Sequence, residues 1–439
     1  MKKLFFLIIA FYTITYGYSQ TSEEYFTRGI TKDSLQDYEG AIANYSKAIE
    51  LEANNPETYH KRGGSKFDLK DYQGAIADYS SAIEINPNKA DYLFQRGIAK
   101  YNSGDYQGAI LDCSKAIDIN PRLKNVHSTR GRAKAKLEDY LGAIADFNIA
   151  IEFEPNNFWD YETRAVAKAN LEDFQGAIAD YTKAIDINPN NDSNYNNRGV
   201  AKADLEDYQG AIADYTKAIE INPTFGTFYS NRGNIKRILK DYQGAIADYN
   251  KAVEFEPNDS DSYFKRGNTK SDLKDFQGAI ADFNKALEFE PNDSKTYRNR
   301  GQAKNQLQDF RGAILDLSRS IGIDPNNEYA YKNRGYAKYE LKDYRGAIID
   351  YTKQISIIPS DESSYYLRGC AKADLKDYQG AILDYTKAIQ LSPNDSAYYY
   401  ARGDIKIKLK QKNSGCLDFS KAGELGYEYA YDAIKQYCN

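Results

Sequence analysis

The residues that could do chemistry in this sequence are charged side chains that recur at a fixed spacing. An arginine, followed four residues later by a lysine, occurs twelve times at intervals of 34 residues, as in Arg198 and Lys202. An aspartate lies twelve residues beyond the lysine in eleven copies, as in Asp214, and Asn44 is the exception. Two cations on one helical face could bind an anionic ligand. Because the aspartate is nearly invariant, a structural ion network is favoured, and a cationic surface for an anionic ligand is the alternative.

Other reactive chemistry is sparse. The two histidines, His60 and His127, stand in different copies of the repeat, and neither has a cysteine or histidine at metal-ligand spacing. No glycine-rich phosphate loop or nucleophile elbow is present in the sequence. The net charge is −5 with no basic block, which disfavours nucleic acid as a partner. We therefore predict no catalytic residues, no metal site, no cofactor and no enzymatic activity.

The charged residues belong to a repeat unit that fills most of the 439 residues. Each copy can be aligned on one small residue, with a constant step of 34 residues and no insertion. We number the copies 1 to 12 by that residue: Gly29, Gly63, Gly97, Gly131, Ala165, Gly199, Gly233, Gly267, Gly301, Gly335, Gly369 and Gly403. Twelve copies span residues 22–429. A fixed period of this length is typical of stacked supersecondary units.

Each copy contains two helix signals. In helix A, Tyr195 and Leu205 exemplify an apolar face at helical spacing. Asp207 is a suitable N-cap for a second helix, helix B, whose face carries Tyr215 between two alanines. Asn-Pro, with Pro223, ends helix B because the residue before proline disfavours the helical conformation. The unit is therefore predicted to be helix–turn–helix–turn.

This pattern resembles the tetratricopeptide repeat (TPR). The resemblance rests on small residues at the glycine and helix B alanine positions, the two aromatic positions and the terminal proline, in 34 residues. It implies an all-α fold, namely a right-handed α-solenoid of twelve repeats. We expect a C-terminal capping helix and tail over residues 428–439 to follow the last repeat. It also implies binding of a protein or peptide in a concave groove lined by helix A.

The groove positions of the family, carried over to this sequence, give an uneven set of residues. The densest cluster is Tyr329, Lys332, Tyr336, Tyr339, Tyr366 and Tyr400, with Arg298 beside it. A second cluster is Phe26, Phe67, Phe94 and Tyr101. Between them lie Trp159, Glu162, Arg237 and Phe264. Aromatics with neighbouring cations suit an extended peptide, and the alternative is that they are ordinary surface residues. A structural spacer or self-associating rod in the cell envelope is the alternative function.

The four cysteines divide into two kinds. Cys113 replaces the core aromatic of helix B and is expected to be buried, while Cys370 is expected to be free. Cys416 and Cys438 are equidistant from the turn between the last helix B and the capping helix, so we predict a disulfide between them.

The N-terminus has the pattern of a secretory signal peptide. Lys2 and Lys3 precede an apolar stretch that ends in Gly17-Tyr18-Ser19, which predicts cleavage near Ser19 and Gln20. The predicted signal peptide is residues 1–19, and the mature chain is expected to be exported to the periplasm or beyond; an uncleaved N-terminal anchor is the alternative. We expect a monomer without membrane insertion, and a protein or peptide partner that the sequence does not identify.

Overall fold

The computed structural model describes residues 21–438. The predicted signal peptide lies outside these residues. The chain divides between Asp207 and Tyr208 into two compact units, each of which is a stack of antiparallel helices. Within residues 21–438, no helix has the length and hydrophobicity needed to cross a membrane.

The first unit contains five A–B helix pairs followed by one further A helix. Its helices are α1 (Ser22–Ser34), α2 (Tyr38–Leu51), α3 (Pro56–Asp68), α4 (Tyr72–Ile85), α5 (Ala90–Asn102), α6 (Tyr106–Ile119), α7 (Val126–Lys136), α8 (Tyr140–Phe153), α9 (Phe158–Asn170), α10 (Phe174–Ile187) and α11 (Asp192–Asp204).

The second unit begins with a B helix, continues with six A–B pairs and ends with a short helix that packs on the last of them. Its helices are α12 (Tyr208–Ile221), α13 (Gly226–Ile238), α14 (Tyr242–Phe255), α15 (Ser260–Asp272), α16 (Phe276–Phe289), α17 (Ser294–Gln306), α18 (Phe310–Ile323), α19 (Glu328–Glu340), α20 (Tyr344–Ile357), α21 (Glu362–Asp374), α22 (Tyr378–Leu391), α23 (Ser396–Lys408), α24 (Lys412–Glu424) and α25 (Tyr429–Tyr437). This arrangement confirms the predicted all-α solenoid fold.

The turn between helices A and B is closed by the backbone. In repeat 2, Lys70 has φ 62°, and the next N–H, of Asp71, donates to the carbonyl of Lys66 at 2.9 Å. This is the bond that ends a helix in a Schellman motif. The Asp71 carboxylate then accepts from the N–H of Gly74 at 2.9 Å and caps helix B, as the sequence predicted for the equivalent aspartate. The leucine predicted on the apolar face of helix A is instead its C-cap residue, and Leu205 is 38% exposed there.

The core of each pair is an aromatic ring of helix B packed on the glycine of helix A. In repeat 2 a Cβ added to Gly63 would lie 2.9 Å from the ring of the buried Tyr79, so the glycine lets the two helices approach. Successive A helices also contact one another, as α13 contacts α15 and α15 contacts α17. The variable residues of neighbouring A helices therefore lie side by side on one surface.

Candidate functional site

The repeated cations form ion pairs with the aspartate of helix B. In repeat 10, Arg334 donates from Nη2 and Nε to the two carboxylate oxygens of Asp350 at 2.7 and 3.0 Å, and Lys338 Nζ lies 2.7 Å from the same carboxylate. Asp350 is 1% exposed. The same triad occurs around nine further aspartates: Asp78, Asp112, Asp146, Asp180, Asp248, Asp282, Asp316, Asp384 and Asp418. Arg198 and Lys202 lie in the first unit and Asp214 in the second, so the ten copies within single units define the network.

Each arginine of the network also binds the preceding repeat. Arg334 Nη1 donates to Ser318 Oγ at 3.0 Å, on helix B of repeat 9, and its guanidinium lies 5.6 Å from the ring centre of Tyr331. A serine, threonine or asparagine accepts the equivalent bond in the other nine copies. This contact was not predicted from the sequence, although a small polar residue recurs at that position. The geometry supports a structural role, because the arginine donors point to the carboxylate and to the neighbouring helix.

The predicted N-terminal aromatic cluster separates into two groups. Phe26 packs against Tyr45 with ring centres 5.9 Å apart, and Phe67 packs against Tyr72 at 5.4 Å. Phe94 and Tyr101 instead line a cavity of about 510 Å³. The half-exposed Trp159 of repeat 5 lines the same cavity. The structure thus brings together two of the four predicted residues and adds the tryptophan.

The predicted C-terminal cluster contains exposed and packed members. Tyr329 is 56% exposed and Tyr336 is 39% exposed. Tyr366 is packed between Tyr385 and Tyr398, with ring centres 5.7 and 5.0 Å away. Tyr366 therefore belongs to the packing between repeats 11 and 12.

The remaining members of the C-terminal cluster have partners within the protein. Tyr400 packs on Phe419 at 5.3 Å and on Tyr427 at 4.7 Å, next to the capping helix. The Tyr339 hydroxyl donates to Asp374 at 2.6 Å, across to the next A helix. Lys332 Nζ donates to Asp361 at 3.2 Å and to Ser363. These contacts leave Tyr329 and Tyr336 as the open aromatic surface of the cluster.

A cavity of about 710 Å³ lies on the A helices of repeats 7 to 9. It is lined by Arg237, Phe264 and Arg298, which were predicted from the sequence to be variable groove residues. Its other lining residues are Asn268, Ser271, Asp272, Lys274, Phe276, Lys295, Asn299, Gln302, Ala303 and Gln306. No binding role was predicted for these carboxamides, although asparagine or glutamine stands directly after the repeat glycine in repeats 7 to 9.

Side-chain hydrogen bonds order the wall of this cavity. Arg298 Nε donates to Asn299 Oδ1 at 3.0 Å, and Asn299 Nδ2 donates to Asn268 Oδ1 at 2.7 Å. Arg237 Nε donates to Asp272 Oδ2 at 2.8 Å, which neutralises one of the four cations. The Arg298 guanidinium also lies 5.7 Å from the ring centre of Tyr329, so the wall continues into the exposed part of the C-terminal cluster.

The cavity offers the groups that an extended polypeptide can bind. A carboxamide carries both a donor and an acceptor, as a peptide unit does. The single acidic side chain of the lining, Asp272, is paired with Arg237. The lining therefore carries an excess of positive charge, which comes from Lys274, Lys295 and Arg298. The ring of Phe264 supplies an apolar contact in the same wall. The site is therefore suited to an extended, acidic chain rather than to a cation.

Two of the four cysteines form a disulfide, and the other two are free thiols. Cys416 and Cys438 form a disulfide with Cα atoms 5.7 Å apart, which ties α24 to the end of α25. Cys113 is buried, and this burial raises the pKa of its thiol to about 12. Burial also raises the pKa of the Cys370 thiol. Within residues 21–438 no group of three or more His, Cys, Asp or Glu side chains is arranged to hold a metal ion.

Family models identify the repeat. Models of the tetratricopeptide repeat match residues 34–67, 64–104, 161–191, 195–225, 233–273, 260–293 and 363–395. Together these matches cover about half of the chain, and the chain belongs to the tetratricopeptide repeat family. A comparison with curated proteins finds no match.

Several solved structures align with this chain over part or most of its length. The Cut9–Hcn1 hetero-tetramer of the APC/C aligns with 13% identity and a TM-score of 0.46, over 95% of this chain and 96% of that chain. A tetratricopeptide repeat protein from Parabacteroides merdae aligns with 21% identity and a TM-score of 0.43, over 56% and 99% of the two chains. YrrB, described as a TPR protein with an unusual peptide-binding site, aligns with 22% identity and a TM-score of 0.40, over 43% and 97%.

The family assignment rests on the sequence models and sets the broad class of function. Tetratricopeptide repeat proteins generally bind other proteins and act as scaffolds without catalysis. The fold of this chain accordingly indicates a protein–protein interaction scaffold.

Proposed function

We propose that this chain is a non-enzymatic scaffold that binds an extended, acidic segment of a partner protein along the A helices of repeats 7 to 10. The observation that carries the proposal is the cavity of about 710 Å³ and its wall of cations, carboxamides and Phe264. Because this wall continues to the exposed Tyr329, the bound segment would run from α13 toward α19.

The variable residues support this assignment better than the repeated ones do. In ten copies the repeated arginines and lysines pair with a buried aspartate, so their charge is already compensated. Lys295 and Arg298 occupy positions that are not basic in the neighbouring repeats 7 and 8, where Thr227, Ser230 and Phe264 are among the equivalents. A binding site built from such substitutions can be specific while the framework stays constant.

Peptide binding to variants tests the proposal. Peptides selected from a random displayed library on the full chain should be enriched in acidic residues. Replacing Arg237 with Ala and Arg298 with Ser should weaken their binding about tenfold or more, measured by fluorescence anisotropy. The charge-assisted contact from Arg298 is lost, and Asp272, no longer paired with Arg237, would repel an acidic chain. Both new residues occur at the equivalent positions of other repeats, as Ala203 and Ser230 do, so the fold should tolerate them.

A matched control removes the same charge from helix B. Arg311→Gln with Arg345→Gln also deletes two arginines, and glutamine stands at that position in most repeats. This control should change peptide affinity less than about twofold. Equal losses in the two variants would show non-specific attraction to positive charge, and no loss in either would exclude the cavity as the binding site.

We also propose that the chain is exported, an assignment supported by the leader pattern and by the Cys416–Cys438 disulfide. Protein recovered from the periplasm of an expressing bacterium should lack residues 1–19 by intact mass. Without reductant, after denaturation, two thiols should react with an alkylating agent, Cys113 and Cys370. An intact leader or four reactive thiols would contradict the proposal.

A further inference from the structure

The outward face of helix B changes in the last four repeats. The residue before the network aspartate, or before Asn44 in repeat 1, is alanine in repeats 1, 2 and 4 to 8: Ala43, Ala77, Ala145, Ala179, Ala213, Ala247 and Ala281. In repeats 9 to 12 it is Leu315, Ile349, Leu383 and Leu417, which are 73%, 67%, 71% and 72% exposed. Leu111 of repeat 3 is the other large residue at this position. Four exposed aliphatic side chains thus stand at one position of α18, α20, α22 and α24, and we call them the aliphatic ridge.

The charge beside the ridge changes in repeats 9 to 11, whereas repeat 12 keeps its acid, Glu424, paired with Lys421 at 3.1 Å. Seven residues after the ridge position, repeats 1 to 8 carry an acid: Glu50, Glu84, Asp118, Glu152, Asp186, Glu220, Glu254 and Glu288. In repeats 1 and 5 to 8 this acid pairs with the lysine three residues before it, as Glu288 does with Lys285 at 2.8 Å. In repeats 9 to 11 the acid is replaced by Gly322, Ser356 and Gln390.

The cations remain where the acids are lost. Arg319, Lys353 and Lys387 follow their ridge residue by four positions, on the same face of the helix. Arg319 donates to a neutral group, Asn292 Oδ1, at 3.2 Å. Arg311 and Arg345 precede the ridge residue by four positions, where glutamine stands in most repeats. Helices α18 and α20 therefore each carry cation, aliphatic residue and cation in one line along the helix.

We propose that the aliphatic ridge and its flanking cations dock this protein on the surface of an anionic phospholipid bilayer. Exposed aliphatic side chains enter the headgroup boundary while adjacent lysines and arginines stay at the level of the phosphates. Charge complementarity selects an anionic surface, because three of the four ridge repeats lose their acid and keep their cations. A bilayer rather than a partner helix is favoured because the ridge residues project from four separate helices, and the cavities described above are lined by other residues. This surface is on helix B and does not depend on the proposed peptide site on helix A.

Vesicle sedimentation of the full chain tests the assignment. The protein should sediment with phosphatidylcholine vesicles containing about one quarter phosphatidylglycerol, should not sediment with pure phosphatidylcholine, and should be released by salt. Two variants restore the pattern of the other repeats. One replaces Leu315, Ile349, Leu383 and Leu417 with alanine, and the other is Gly322→Glu with Ser356→Glu and Gln390→Glu. Each should lower the apparent affinity about tenfold or more, with circular dichroism confirming the fold.

Leu111→Ala is the matched control, because it removes an equally placed leucine outside the ridge and should leave vesicle binding unchanged. Absence of binding to anionic vesicles, or equal binding by the ridge variant, would overturn the proposal. Light scattering extends the test. A dimer that dissociates in the ridge variant, without vesicle binding by the wild type, would assign the ridge to a second copy of the chain instead.

Discussion

Replacing Asp112 with alanine should lower the free energy of unfolding by about 3–5 kcal/mol, the loss typical of removing one partner from a buried ion pair. Asp112 is fully buried in α6. Arg96 donates to its two oxygens at 2.8 Å each, and Lys100 Nζ lies 2.8 Å from the carboxylate. Without the carboxylate, two half-buried cations would face each other without an anion. Urea unfolding of the full chain, followed by circular dichroism, measures the change.

The control is Asp118→Ala in the same helix, which makes the same change of charge at an exposed position. It should alter the free energy of unfolding by less than about 0.5 kcal/mol. If the two variants unfold at the same urea concentration, the repeated cations are not a structural network and become available for an anionic ligand.

Acid should weaken the same network. Burial alone would raise the pKa of Asp112, but hydrogen bonds from Arg96 and Lys100 outweigh it and hold the pKa below the usual value. A carboxyl whose pKa is lower in the folded protein stabilises it fully above the unfolded value of about 4, and this contribution is lost as the pH falls through the folded value. The difference between wild type and Asp112→Ala should therefore be constant near neutral pH and narrow below about pH 4.

Replacing Tyr351 with alanine should cost about 3–5 kcal/mol, because it leaves a large cavity between helices α19 and α20. The ring is fully buried, and a Cβ on Gly335 would lie 2.8 Å from it. Glycine and ring thus occupy complementary volumes, and neighbouring side chains cannot fill the space without moving a helix. The urea midpoint of the full chain is again the measurement.

The substitution Tyr351→Phe distinguishes the contribution of the ring to stability from that of its hydroxyl. Among the described residues the Tyr351 hydroxyl has no hydrogen-bond partner. Phenylalanine stands at the same position as Phe147, Phe283 and Phe419. The substitution should therefore be neutral or slightly stabilising. A loss comparable to that of Tyr351→Ala would mean that the hydroxyl, rather than ring packing, holds the two helices together.

The framework could be predicted from the sequence because every contact in it is repeated. Arginine, lysine and aspartate recur at fixed distances, so their pairing across helices A and B follows from the period alone. The bond from Arg334 to Ser318 was missed because its partner belongs to the preceding copy and varies among serine, threonine and asparagine. Side chains that vary give a weak signal even when their role is constant.

The candidate site could be predicted only in part, because it depends on contacts between different repeats. Tyr366 and Tyr329 are both tyrosines at groove positions, but Tyr366 packs against Tyr398 whereas Tyr329 is 56% exposed. Arg298 was grouped with the C-terminal cluster, whereas the structure places it in the cavity with Arg237 and Phe264 as well as beside Tyr329. The aliphatic ridge was visible in the sequence as a shift from alanine to leucine, but its exposure required the structure.

We propose that the repeated residues hold the fold together while the variable A-helix residues bind the partner. The most direct test is the affinity of one selected acidic peptide for Arg237→Ala/Arg298→Ser relative to Arg311→Gln/Arg345→Gln, two variants that each lose two arginines. A ratio of dissociation constants of about ten or more, with unchanged unfolding midpoints, is the predicted result. A ratio near one would contradict the claim.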